Sequence, residues 1–136
     1  MKSIEATPEQ FTAFRKADPD EPLLMLNLLK YRDQADYGDN VEGDEACTGE
    51  QAYKRYMAAT SQFIEQVGAQ VVMRANPRRS VIAPLGEDWD LMFVVKYPSR
   101  AAMLKMLGDP EYRSISRHRS AGLADSRLIE MDPGDL

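Results

Sequence analysis

His118 is the only histidine in the chain, and it sits in "SRHRS" between Arg117 and Arg119. It is therefore the side chain whose ordinary pKa puts a charge change near neutral pH. Adjacent cations favour the neutral imidazole. That suits a general base in a reaction needing neither metal nor bound cofactor, with Arg119 stabilising developing negative charge. It suits a surface histidine equally well. Arg113, Arg117 and Arg119 recur at spacings that leave at least one pointing inward. With Arg74, an inward guanidinium can clamp a carboxylate through two N–H groups. The plainer reading is solvation, or an ion pair to Asp90 or Asp125.

Asn27 poses a different question. Six of the seven residues from Leu23 to Leu29 are apolar, and the seventh is this amide. A buried amide costs free energy unless its hydrogen bonds are answered. Either a ligand answers it, or backbone at a bulge, or a neighbouring tyrosine. Tyr53 and Tyr56 lie on the apolar stripe of a helix, where Tyr56 can face Asn27 across the gap between sheet and helix. Buried phenols also need partners. Trp89 walls a pocket or fills a seam between subunits. Cys47 has no histidine nearby in sequence, which argues against a thiol nucleophile.

The elements that position these residues are legible from caps and periodicity. Thr7-Pro8-Glu9-Gln10 reads as a capping box opening a short helix that stops before Asp18-Pro19. Pro22 to Lys30 reads as a strand with apolar residues at both parities. Thr48-Gly49-Glu50-Gln51 is a second capping box, opening a helix over 49–67 that Gly68 ends. A strand over Val71–Arg74 is expected to resume at Ser80–Ala83, before a turn at Pro84–Asp88. Trp89–Tyr97 reads as a strong strand. Ser99 caps a short helix to Leu107, Asp109-Pro110 caps another to about Arg119, and Ser126–Met131 reads as the last strand. The order is a short helix followed by β-α-β-β-α-β. That predicts an α+β, ferredoxin-like fold with a four-stranded antiparallel sheet and helices on one face.

Bulk properties narrow the function. The chain has 136 residues, 43% hydrophobic and 29% charged, which suits one domain spanning 1–136. No apolar run approaches the ~20 residues needed to cross a bilayer. The opening "MKSIEATPEQ" has no apolar core, so no signal peptide is expected. One cysteine forms no internal disulfide, which fits a reducing cytoplasm. One Cys and one His argue against a zinc cluster. The net charge of −5 is concentrated. Residues 31–48 hold six acids (Asp33, Asp36, Asp39, Glu42, Asp44, Glu45) against one arginine, and the remainder has 16 acids and 16 bases. That argues against nucleic acid or an anionic membrane as partner. The acidic stretch reads as a long loop. Its acids miss the alternate-position spacing of a calcium loop, so no metal is expected there.

Two helices cover one face of a four-stranded sheet, yet at least two strands are apolar on both. At ~25 cal/mol per Å2, a face of Leu, Met, Phe and Val left in water forgoes many kcal/mol. Such a face marks an association surface, and a second copy presenting the same face predicts an obligate homodimer.

"MLNLLKYR", Trp89-Asp90 and "YPSRAAMLKMLGDPEYRSISRHRSAGLADSRLIEM" resemble the uncharacterised family numbered thirteen-thirty among domains of unknown function. The resemblance runs from about Leu23 to Met131. It implies membership of the dimeric α/β-barrel superfamily, in which two ferredoxin-like sheets pair face to face. It also implies a small-molecule pocket between sheet and helices. The residues read above are expected to line it: Asn27, Tyr56, Trp89 and one or more of Arg74, His118 and Arg119, with His118 as proton shuttle and Arg119 stabilising developing negative charge if the protein is an enzyme. Relatives in that superfamily include cofactor-free enzymes and plain binding domains, so fold alone does not choose a reaction. Two readings stand: a cofactor-independent enzyme acting on a small organic acid or aromatic compound, and a non-catalytic binding or stress-associated module.

Overall fold

A computed structural model describes residues 2–38 and 46–134. The elements run α1 (Pro8–Lys16), β1 (Leu23–Tyr31), α2 (Gly49–Gln66), β2 (Gln70–Ala75), β3 (Leu91–Tyr97), α3 (Arg100–Gly108), α4 (Pro110–Gly122) and β4 (Leu123–Met131). Both predicted capping boxes form. Thr7 Oγ1 accepts from Gln10 N at 3.1 Å and Thr48 Oγ1 accepts from Gln51 N at 3.1 Å, each glutamine returning the bond to its threonine N–H. Gly68 takes a φ of +75° and ends α2, a conformation that costs glycine little.

The sheet is antiparallel with order β2-β3-β1-β4. This is the ferredoxin-like α+β arrangement. Strand parity divides its side chains. Leu23, Met25, Asn27 and Leu29 share one face with Leu91, Phe93, Val95 and Tyr97. That face packs against Tyr53 and Phe63 of α2, Met103 and Met106 of α3, and Tyr112 of α4. The other parity aligns Met73, Val94, Leu26 and Ile129 across all four strands, and the core clusters joining sheet to helices take none of them.

Residues 80–83 form no strand, contrary to the sequence expectation. β3 begins at Leu91 and its last partner on β2 is Ala75, opposite Met92. Only Leu91 of β3 is left on that side, too little for a resumed strand, and β-propensity without a partner does not make one. Val81 and Ile82 instead stand 87% and 97% exposed. β4 begins earlier than expected, at Leu123, because α4 runs directly into it. The acidic stretch 31–48 is described only in part, and Asp39, Glu42, Asp44 and Glu45 lie outside the described residues. No group of acids, histidine and cysteine able to hold a metal occurs among the described residues. No described helix is long and apolar enough to cross a membrane.

Two glycines hold β1, α2 and α4 together. Arg32 N donates to Gly122 O at 2.8 Å, and Arg32 O accepts from Gly49 N at 3.1 Å. A Cβ on Gly122 would lie 2.6 Å from Gly49 O and 3.0 Å from Tyr53 N. These are backbone atoms, which cannot swing aside. Gly122→Ala is therefore expected to destabilise the fold by about 2–3 kcal/mol, measured as a lower midpoint in urea with an unchanged m-value.

Candidate functional site

A cavity of about 970 Å3 lies between the helix-facing side of the sheet and the helices. Its floor includes Met25, Asn27, Phe93 and Val95. Its walls include Tyr53, Tyr56, Met57 and Ile64 of α2, Met103 and Met106 of α3, and Tyr112 and Arg119 of α4. Phe11 and Phe14 of α1 and the segment Ser3–Ala6 complete it.

The roof is held at its ends more than along its length. Ser3 N donates to Asp125 Oδ1 at 2.8 Å, and Ser3 O accepts from Ser126 Oγ at 2.6 Å. Ile4 O accepts from Arg119 at 2.8 Å, and Glu5 accepts from Ser120 Oγ at 2.7 Å. On the far side, Asp18 O accepts from Arg100 Nε at 3.2 Å, and Ala101 N donates to Pro19 O at 2.9 Å. Between these anchors α1 has no buried residue. Phe14 lies over the Arg100 guanidinium, 4.9 Å from ring centroid to Cζ, and packs on the core edge.

Asn27 answers its own question in part. Its Nδ2 donates to Met25 O at 3.2 Å. Only the NH2 side can face a carbonyl, so the amide orientation follows from chemistry. The Oδ1 accepts no hydrogen bond from the described residues, and the side chain lines the cavity. Tyr56 and Tyr112 sit oxygen to oxygen at 2.5 Å. One phenol donates to the other, and one proton is left over for a further acceptor. Burial pushes both phenols, and Tyr53, above their ordinary pKa, and the neighbouring phenols reinforce it for Tyr56. They remain neutral hydrogen-bond donors across the physiological range.

The arginines divide. Arg119 lines the cavity, but its guanidinium donates to Ile4 O and, at 3.4 Å, to Ser126 Oγ. It pins the N-terminal segment. Arg74 lines the cavity from β2, and its guanidinium makes no hydrogen bond or ion pair with any described residue. Its charge opposes the burial that raises the Tyr31 and Tyr53 pKa values.

Two expected site residues stand elsewhere. His118 is not among the cavity-lining residues. Its Nδ1 lies 2.7 Å from Tyr37 Oη, which Arg55 also reaches at 3.2 Å. Arg55 can only donate, which leaves the phenol proton for the imidazole. α4 turns Tyr112, Arg113, Ser116 and Arg119 to the cavity, whereas His118 meets Tyr37. Trp89 also lies off the cavity, with Arg127 stacked on its ring at 5.1 Å and held by Asp125 at 2.7 Å. Phe93, Tyr112 and the Ser3–Glu5 segment were not singled out by sequence. The parity of the β3 run carried a signal for Phe93; the N-terminal segment carried none, because its partners lie more than a hundred residues away.

Two measurements test this construction. Amides of α1 are expected to exchange with deuterium about a hundredfold faster than those of α2, whose inner face is buried. The Ser3 anchor is pH-dependent. Burial opposes ionisation of Asp125, but hydrogen bonds from Ser3 N, Arg127 and Ser126 N outweigh it and hold the carboxyl below its ordinary value. Its contribution is therefore present above the ordinary carboxylate pKa and is lost as pH falls through the depressed one. Protection of residues 3–5 should drop below about pH 4, and Asp125→Asn should remove that step.

Residues 43–131 match the family described as domain of unknown function (DUF1330). The chain is similar to a protein of unknown function from Rhodopseudomonas palustris, with 38% identity over 98% of each chain and a TM-score of 0.89. The methylated form of that protein matches with 38% identity over 97% of this chain and 95% of that one, also with a TM-score of 0.89. A dimeric protein of unknown function with a ferredoxin-like fold, from Bacteroides fragilis, is 10% identical over 85% of this chain and 99% of its own, with a TM-score of 0.48. Among curated proteins none matches. Over most of its length, including α2, three of the four strands (β2 to β4) and the α4 arginines, this chain belongs to the DUF1330 family.

Proposed function

We propose that the protein binds a small organic molecule in the cavity between sheet and helices, and that it does so as a homodimer paired through the open sheet face. The observation that carries the binding reading is Asn27: an amide with its NH2 spent on Met25 O and its Oδ1 left to the cavity. A structural amide would have both ends answered. The volume, about 970 Å3, suits a small organic ligand.

Catalysis is the weaker reading. The phenols that line the cavity are pushed away from neutral pH, not toward it, whereas a general base works best with a pKa near the operating pH. His118 answers Tyr37 instead. A binding module needs no such base.

The pairing reading rests on the row Met73–Val94–Leu26–Ile129, of which Met73 is 55% and Ile129 46% exposed. A second copy offering the same row covers both at once. Lys96 and Arg127 flank it at adjacent register positions, a polar rim around an apolar centre.

A thermal-shift screen of small phenols and carboxylates tests the first part. A ligand of the folded state raises the melting temperature by mass action. A hit should lose most of that gain in Asn27→Ala, and part of it in Ile64→Trp, which adds a bulky ring to the cavity wall. If every hit stabilises Ile64→Trp as well as wild type, the ligand lies elsewhere. For the second part, sedimentation equilibrium should return twice the chain mass for wild type and the single-chain mass for Ile129→Asp. A concentration-independent monomer in wild type removes the dimer.

A further inference from the structure

The register of the sheet sets three chemically different side chains in one line. Arg74 of β2 lies opposite Phe93 of β3, and Phe93 lies opposite Asn27 of β1. All three line the cavity. Neighbouring strands are about 4.8 Å apart, so the Arg74 and Asn27 backbones stand about 10 Å apart with the Phe93 ring between them. We propose that this row selects a ligand class: a small aromatic molecule with an anionic group at one end and a hydrogen-bond donor at the other.

Each position takes one part of such a molecule. Phe93 is half-buried, shared by both core clusters, and offers a ring against which another ring packs offset or edge-on. Asn27 Oδ1 is an acceptor whose amide orientation is fixed by Met25 O, so it takes an O–H or N–H and repels a carboxylate. The anion goes to the cation on the other side. Arg119 is spent on Ile4 O and Ser126, and Arg127 is held by Asp125 and Glu87. Arg74 makes no ion pair among the described residues, and its five donors suit a carboxylate or comparable oxyanion. Arg113 also lines the cavity, but it belongs to α4 and not to the row, so it is the rival cation that the test must separate from Arg74. A carboxylate at Arg74 and a hydroxyl at Asn27 are thus read from opposite ends, which neither residue achieves alone.

This inference rests on the cavity reading above, and the test separates the two. The probes are 3-(4-hydroxyphenyl)propanoate, which has both ends, 4-ethylphenol, which lacks the carboxylate, and 3-phenylpropanoate, which lacks the hydroxyl. Titrations of the full chain should show each deleted group weakening binding about tenfold. In Arg74→Gln both acids should weaken about tenfold while 4-ethylphenol stays within about twofold. In Asn27→Leu both phenols should weaken while 3-phenylpropanoate stays. Arg78→Gln, outside the cavity, should leave all three as in wild type. Should Asn27→Leu fail to fold, the Arg74→Gln arm decides alone, because its prediction concerns only the carboxylate. Equal affinities of the three probes in wild type, or an Arg113→Gln effect matching that of Arg74→Gln, overturn the inference. If no probe binds below about 10 mM while the uncharged apolar dye Nile red binds wild type and binds Ile64→Trp more weakly, the ligand class falls and the cavity reading stands. If the dye does not bind either, both fall.

Discussion

A buried guanidinium organises the molecule. Arg100 has no solvent exposure, and it opens α3 directly after β3. Its Nη1 donates to Glu130 of β4 at 2.5 Å, its Nη2 to Glu21 at 2.5 Å, and its Nε to Asp18 O at 3.2 Å. A charge taken out of water costs several kcal/mol unless its donors are matched. Here the planar fork is matched in three directions, which an ammonium group on a flexible stem would not reproduce. The carboxylates keep contact with water and the cation does not, so the desolvation cost falls on one partner. The same contact decides where the chain enters the sheet. Residues 18–21 are tied to α3 and β4 before β1 begins, and α1 is thereby laid across the cavity mouth.

The cavity follows from a shortage of cover. The sheet's inner face is wider than α2, α3 and α4 can seal, and α1 completes the enclosure with two phenylalanines and no buried residue. Apolar walls without tight filling forgo dispersion contacts. A fold optimised only for stability would fill this volume with larger side chains. Instead the volume is kept, and its lining mixes apolar side chains with polar groups that include Asn27, the Tyr56–Tyr112 pair, Arg74, Arg113 and Arg119.

The two faces of the sheet carry different tasks through one alternation. Odd positions of β1 face the helices and include Asn27; even positions are leucines and one lysine. The apolar run that makes β1 a central strand thus serves two surfaces. The exposed Val81, Ile82 and Leu85 lie in the connection between β2 and β3, adding apolar area outside the core. The β2–β3 ladder ends at Ala75 and Met92, so these side chains gain nothing from the sheet.

Much of the fold was legible from local chemistry. Threonines followed by Gln at the third helical position marked both capping boxes, and the paired parities of Leu23–Leu29 marked a strand buried on both faces. Asn27, Tyr56 and Arg74 line the cavity, at positions set by strand alternation and a helical stripe, which are local properties. His118 and Trp89 do not. Arg32 bonds both Gly49 and Gly122 where α4 meets α2, and Arg127 stacks on Trp89, pairings between residues remote in the chain. By itself, then, the sequence determined the elements, their order and the surplus of apolar surface, since these depend on neighbours along the chain. Only the tertiary structure decided which polar groups share a cavity. That depends on the rotation of helices and the register of strands, and both are set by backbone contacts between segments far apart in sequence.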